Sequence, residues 1–228
     1  MMKSFILVIT SLFIYNGIQG QSASERKLAP FHKIVIGDKI IVQLVKSDHE
    51  SAQIKVQGID ASAVKSEVSG GTLNMSITGE PFTRKKVMVT LNYVNLKTIV
   101  VNNGAEVSTS SLFKSDTLHV ELKSGGMLYL DADIECLISK IVEGGLLNAE
   151  GYATVQDAIV STAGTLSAFE LESDKVKVKA SIGGKAKINV ENELDAEATT
   201  KGYISYKGKP AKINRIANSG GSIVVNEP

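Results

Sequence analysis

The triplets Asn103-Gly104-Ala105, Ser124-Gly125-Gly126, Glu143-Gly144-Gly145, Thr162-Ala163-Gly164, Ile182-Gly183-Gly184, Thr200-Lys201-Gly202 and Ser219-Gly220-Gly221 punctuate the second half of the chain. Their last residues, 105, 126, 145, 164, 184, 202 and 221, are separated by 21, 19, 19, 20, 18 and 19 positions. Two and four residues after these markers stand Leu128 and Leu130, Leu147 and Ala149, Leu166 and Ala168, Ala186 and Ile188, Ile204 and Tyr206, Ile223 and Val225. Four and six residues before them stand Val101 and Ile99, Leu122 and Val120, Ile141 and Ser139, Val160 and Ala158, Ala180 and Val178, Ala198 and Ala196. Positions between are mostly polar, as in His119, Glu121 and Lys123. Each repeat therefore reads as strand, small-residue turn, strand, with one face inward and one outward.

A repeat of this length cannot close its own core, but stacked copies can, because each aliphatic row sits on the next at hydrogen-bonded strand spacing. The expected fold is all-β: a right-handed parallel β-solenoid with about 20 residues per coil. Gly104, Gly125, Gly126, Gly144, Gly145, Gly164, Gly183, Gly184, Gly202, Gly220 and Gly221 are expected to be its corners. Glycine suits them because it accepts positive φ and close backbone approach. Where Ala163 and Lys201 replace a glycine, a less strained or less regular turn is expected. Two other folds compete for such text. An antiparallel sandwich would show irregular loop lengths rather than a constant period. A left-handed hexapeptide solenoid needs an 18-residue coil, whereas Leu128, Leu147 and Leu166 recur every 19 positions.

Upstream, the alternation continues less regularly: Ile34 and Ile36, a Gly37-Asp38 turn, Ile40, Val42 and Leu44, then Ile54 and Val56, Leu73, Met75 and Ile77, and Val87, Val89 and Leu91. No amphipathic helix is expected; Asp60–Lys65 has room for a single turn. Residues 1–20 read as a signal peptide, with Lys3 ahead of an apolar run from Phe5 to Tyr15 that is shorter than the roughly 20 residues a membrane span needs. Residues 21–30 lack periodicity and read as a flexible lead-in. One β-solenoid domain is expected over 31–228, with less regular coils over 31–103 and the regular turn repeats over 104–226.

With 25 Lys and Arg against 24 Asp and Glu, nothing in the overall charge favours nucleic acid. Aromatic residues are only 5% of the chain and Trp is absent, so the core must be built from Val, Ile, Leu and Ala. Cys136 is the single cysteine and can form no internal disulfide.

The sequence resembles the auto-transporter adhesin head GIN domain family. The features that carry the resemblance are the Ser-Gly-Gly-type turns, the opening strand pair Phe31–Lys46, and the closing text Gly202-Tyr203-Ile204-Ser205-Tyr206-Lys207-Gly208-Lys209-Pro210 with Ser219-Gly220-Gly221-Ser222-Ile223 after it. The resemblance covers roughly residues 30–226. It implies a pectin-lyase-like, two-sheet superhelix with tight turns at the glycine motifs, in an exported protein, and cell adhesion as the role. No barrel-like or heptad segment follows the last coil in this sequence, so a soluble periplasmic, outer-surface or extracellular protein is expected, without a membrane span in the mature chain.

Chemistry is sparse between the turns. Asp131, Asp133 and Glu135, with Glu150 in register one coil on, are the only candidates for the converging carboxylates of a polysaccharide lyase or hydrolase, or for a weak cation site. A solvated connecting edge, where Asp favours turns, accounts for them better. His32, His49 and His119 have no metal-like spacing. The glycine pairs precede strands, not helices, so they form no phosphate cradle. Lys175, Lys177, Lys179, Lys185 and Lys187 form one basic row, suited either to plain solubility or to an acidic polysaccharide or lipid phosphate. Tyr203 could stack on a sugar, while Tyr206 is expected to point inward and cap the solenoid. No cofactor or metal is expected. The sequence thus describes an exported, non-enzymatic β-solenoid that binds a protein or glycan; a polysaccharide-active enzyme and a structural envelope protein are the alternatives.

Overall fold

The computed structural model describes residues 22–79 and 86–226; the expected signal segment lies outside the described residues. Its strands, in chain order, begin with β1 (Ser22–Lys27), β2 (Lys33–Ile36), β3 (Ile41–Lys46), β4 (Ser51–Gln57), β5 (Val64–Ser69), β6 (Thr72–Ile77), β7 (Lys86–Tyr93), β8 (Thr98–Val101) and β9 (Glu106–Thr109). They continue with β10 (Phe113–Leu122), β11 (Met127–Ile141), β12 (Leu146–Val160), β13 (Thr165–Ala180), β14 (Lys185–Ala198), β15 (Tyr203–Lys207), β16 (Lys212–Ala217) and β17 (Ser222–Val225). From β8 onward every pairing is parallel, coil on coil, as a β-solenoid requires.

The small-residue turns separate two walls. Ahead of the turn, Val120, Ser139, Ala158, Val178 and Ala196 stack in one inward column; behind it, Leu128, Leu147, Leu166, Ala186 and Ile204 stack in another. All ten are buried, and all but Ser139 belong to one hydrophobic cluster running from Phe31 to Tyr206. A fully buried leucine such as Leu147 or Leu166 contributes about 1.5–3 kcal/mol. The column Leu118, Leu137, Gln156, Val176, Leu194 carries a polar intrusion: the Gln156 amide is wholly buried with no hydrogen-bond partner among the described residues.

Between one turn and the next, β11 to β14 are single strands of 14 to 16 residues, not two separate ones. They bend in mid-course instead of turning. From β12 to β14 the pairings break register between Asn148 and Glu150, Ala168 and Glu172, and Ser173 and Lys175, the mark of bulges that let a strand change direction without leaving its sheet.

The corners divide their chemistry between two positions. In Lys123-Ser124-Gly125-Gly126 the Gly126 N–H donates to the Lys123 carbonyl (2.9 Å), and Ser124 and Gly125 have φ of 49° and 74°. Two successive left-handed residues closed by such a bond make a type I′ turn. The Gly125 N–H then donates to the Glu143 carbonyl of the next coil at 3.0 Å, so the corners are laddered as the strands are. Ala163 and Lys201 do not relax this geometry, contrary to expectation; their φ values are 59° and 62°. The coil-to-coil bonding holds the conformation and outweighs the roughly 1 kcal/mol penalty of a side chain in that region. The last glycine has a different reason to be there. A Cβ on Gly126 would lie 2.2 Å from the Val101 carbonyl oxygen of the neighbouring coil. That position needs glycine for close approach, not for positive φ.

The first third departs from a simple run of coils. The β2–β3 coil, with its own corner at Gly37-Asp38-Lys39-Ile40, lies between the β6–β7 coil and the β8–β9 coil, so spatial order differs from chain order. Beyond β6 and β7 the strand direction reverses: β5 pairs antiparallel with β6, and β4 with β7. Residues 22–27, expected as part of a flexible lead-in, form β1, antiparallel to β4. Period-2 text is weak there because β1 is an edge strand with only one paired neighbour. Arg26 fastens the closure by donating to the Val64 carbonyl (2.6 Å), the Ser66 hydroxyl (2.7 Å) and the Ala61 carbonyl (2.8 Å). The single turn expected near Asp60 is a 3-10 turn, Ala61–Ala63, capped by the Asp60 carboxylate.

Candidate binding surfaces

With the inward columns filled by the core, any contact chemistry stands on the outer columns. The expected basic row does not stay together. Lys175, Lys177 and Lys179 project from β13 ahead of the corner at Ile182-Gly183, whereas Lys185 and Lys187 project from β14 behind it, on the other wall. The first three are also answered by acids: Glu193, Asp195 and Glu197 of β14 stand in register opposite them. Lys179 Nζ is 2.8 Å from Glu197 Oε2, and this bond, with the Glu197 charge, raises the lysine above its ordinary value. One of the three closes an ion pair and the other two have acids in register, so the row is not a free cationic stripe. Behind the corner, Lys187 lies 5.8 Å over the Phe169 ring, which Lys207 also covers from 5.9 Å.

The candidate carboxylates are dispersed along their strands. Asp133 is 2.8 Å from Lys114, and Glu135 stands exposed two residues further on. Asp131 and Glu150 do stand opposite one another on adjacent strands, about 4.8 Å apart along the hydrogen-bonding direction. They line a hollow of about 150 Å³ with Tyr129, Asn148 and Thr109. Tyr129 and Asn148 are themselves in register, so an aromatic ring, an amide and two carboxylates share one small patch. Among the described residues no three His, Cys, Asp or Glu side chains gather as a metal cage. His49 touches only Asp48 and Ser47. Tyr206 is buried, as its inward position requires, and Tyr203 is exposed.

A depression lies on the outer face ahead of the turns. This trough, of about 370 Å³, is lined by residues of β2, β8, β10, β11 and β12. Val100, Ile138 and Ile159 form its apolar parts; His119, Lys33, Lys140, Glu121 and Asp157 surround them. His119 stands between Thr98 and Ile138 in one column, and Ile159 follows Lys140 in the next. Sequence reading passed over this site. Its isoleucines occupy outward positions, and only stacking shows that Val100, Ile138 and Ile159 share one surface. The usable signal was a breach of alternation: Ile138 and Ile159 stand where the pattern demands polar residues.

Comparison with known proteins gives the architecture its relatives. A family profile described as "Putative auto-transporter adhesin, head GIN domain" matches residues 30–210. No curated protein matches. Among solved structures, a putative adhesin from Bacteroides fragilis is 20% identical with a TM-score of 0.81, covering 91% of this chain and 98% of that one. A putative adhesin from Parabacteroides merdae is 20% identical with a TM-score of 0.71, covering 92% and 98%. A protein from Parabacteroides distasonis named a putative lipid binding protein is 18% identical with a TM-score of 0.70, covering 93% and 98%. At these identities the likeness is one of fold. No helix among the described residues is long and apolar enough to cross a membrane.

Proposed function

This chain belongs to the auto-transporter adhesin head GIN domain family, and on that footing we propose that it is an exported, non-enzymatic adhesion protein that holds a protein partner against the outer wall ahead of the turns. The observation that carries this reading is the trough on that wall. Two exposed isoleucines, Ile138 and Ile159, with the mostly buried Val100 beside them and both signs of charge around them, form a contact surface of apolar centre and polar rim. A stacked sheet that needed only solubility would place polar residues there, as it does along Lys177 and Asp195. Export is supported by the signal-like residues 1–20 and by the family.

The test is attachment. Particles coated with the chain are applied to an array of purified extracellular and cell-surface proteins, alongside particles coated with Ile138→Asp/Ile159→Asp. Both side chains are exposed, so the variant keeps its melting temperature while binding falls at least about tenfold, as loss of a buried apolar contact implies. Equal binding by both proteins would sink the reading.

A glycan is the second reading, favoured by the hollow at Tyr129, Asn148, Asp131 and Glu150, where a ring face adjoins hydrogen-bonding groups. Glycan-array binding abolished by Tyr129→Ala, with Ile138→Asp harmless, would shift the site to the other wall. Turnover of a bound polysaccharide that stops in Asp131→Asn would replace the non-enzymatic reading altogether.

A further inference from the structure

Charge is balanced over the whole chain but not along the solenoid. From Ala198 to Asn226 there are five cations, Lys201, Lys207, Lys209, Lys212 and Arg215, and no Asp or Glu. These residues build the last coils, β15 to β17 and their connections. Lys207 lies 3.4 Å from Glu170, and Arg215 donates to the Tyr206 hydroxyl at 3.2 Å. Lys201, Lys209 and Lys212 are exposed and make no ion pair within 4 Å among the described residues, although Glu193 stands in register with Lys212. Lys201 stands beside the final corner, since a Cβ on Gly220 would lie 3.9 Å from its Cγ. The same end is apolar. Ile213 and Val225, at inward register positions next to Leu194 and Tyr206, and Ile216, at an outward one next to Glu197, are each 48% exposed, and every residue of β16 is open to solvent. Among the described residues β16 pairs only with β14, and β17 only with β15, so the outer edges of both have unpaired backbone groups.

We propose that this end of the solenoid is a docking surface for an anionic lipid headgroup layer. An edge strand needs only a lysine or an inward charge to deter pairing. Lys212 and Arg215 already supply that, which leaves Lys201 and Lys209 without a role and the aliphatic side chains of the last coil half uncovered. Cations around exposed isoleucines match the mixed character of a lipid interface, where basic groups meet phosphates and short apolar side chains reach the acyl boundary. Free edge N–H groups can donate to phosphate oxygens and water at headgroup depth, though not in hydrocarbon. A second copy of this end is disfavoured because the cations would face cations. A soluble acidic polysaccharide would use the lysines but leave Ile213, Ile216 and Val225 in water.

The test is co-sedimentation of the purified chain with vesicles of phosphatidylglycerol and phosphatidylcholine, against phosphatidylcholine alone. Binding is expected only with phosphatidylglycerol, and it should weaken as salt is raised. Lys209→Glu/Lys212→Glu should lower binding at least about twentyfold, from roughly fivefold for each cation near the surface. Ile213→Ser/Ile216→Ser should lower it about tenfold. Lys175→Glu/Lys177→Glu, on a middle coil, and Ile138→Asp, in the trough, should leave it unchanged. Absence of binding to phosphatidylglycerol, or binding indifferent to Lys209 and Lys212, overturns the proposal. So does equal binding to soluble dextran sulfate that is indifferent to the isoleucines, which would make this end an acidic-glycan site. Salt-sensitive self-association without lipid would instead make it an interface between copies. Because Ile138→Asp separates the trough from the end, either reading can fail alone.

Discussion

The two ends of the solenoid finish in different ways. At one end the chain reverses strand direction: β5 covers β6, β4 covers β7, β1 covers β4, and Arg26 ties the first strand to the Ala61–Ser66 segment through three hydrogen bonds. At the other, among the described residues, the last parallel coil is β15 to β17, with β16 exposed throughout and Arg215 lying 6.0 Å over the Tyr206 ring. Reversal satisfies only part of the edge but prevents another parallel coil from docking in register. A bare end keeps the register open and relies on charge. The comparison teaches why the text of the first third is irregular: antiparallel closure needs unequal strand lengths and hairpin turns, not a repeat.

The sharpest way to break this contrast is to place the same substitution at the middle and at the bare end. Leu166→Asp puts an unpaired carboxylate into a column with no solvent access, at a cost of several kcal/mol. The chain should lose its cooperative melt. Ile213→Asp occupies an inward register position on β16 but is already half-exposed, so its melting temperature should shift by little. Comparable loss in both would mean that the last coil is as tightly packed as the others.

Next in size are the corner glycines. Gly164→Ala drives a Cβ to 2.4 Å from the Ile141 carbonyl oxygen, and with coils on both sides the strain should cost about 3 kcal/mol. Gly221→Ala makes a similar clash with the Ala198 carbonyl, at 2.1 Å. Its coil can move outward, however, so the loss should be clearly smaller. Gly183→Ala meets no atom within 4 Å and pays only for φ of 72°, about 1 kcal/mol. Chemical denaturation of the three variants would rank them; equal losses would undo the distinction between close approach and backbone conformation.

Removing the clamp comes third. Arg26→Ala should cost about 2 kcal/mol through its lost charged hydrogen bonds and raise hydrogen exchange in β1 and β5, leaving β11 to β14 protected. Arg215→Ala, at an open edge, should change stability less. The smallest effect is a pH dependence near the reversed end. Burial raises the Tyr93 phenol from 10.0 to about 12. Its ring stacks on Phe113 with centroids 5.6 Å apart. The unfolded chain then gives up this proton at lower pH than the folded one. Stability from this group is whole below pH 10 and declines as pH rises towards 12. Tyr93→Phe should flatten that slope.

The regular coils were readable because their determinants are local. Leu128, Leu147 and Leu166 fall into one column by period and turn spacing alone, and Tyr206 turns inward by its place in the alternation. The binding surfaces were not readable in the same way. Lys175, Lys177 and Lys179 read as a stripe along the chain, but their neutralising partners come from the next coil, about twenty positions away. Val100, Ile138 and Ile159 are far apart in sequence and meet only through stacking.

The sequence by itself determined the strand-and-corner rhythm, the inward columns and the parallel stacking from β8 onward, since period 2 and a fixed repeat leave the backbone one economical way to bury those rows. Tertiary structure alone decided that the β2–β3 coil slots between β6–β7 and β8–β9, that residues 22–27 become a strand, and that the two basic stretches part at a corner. Those outcomes depend on which edges remain unpaired once the coils have stacked. That is a property of the assembled backbone, with no periodic trace in the residues that satisfy it.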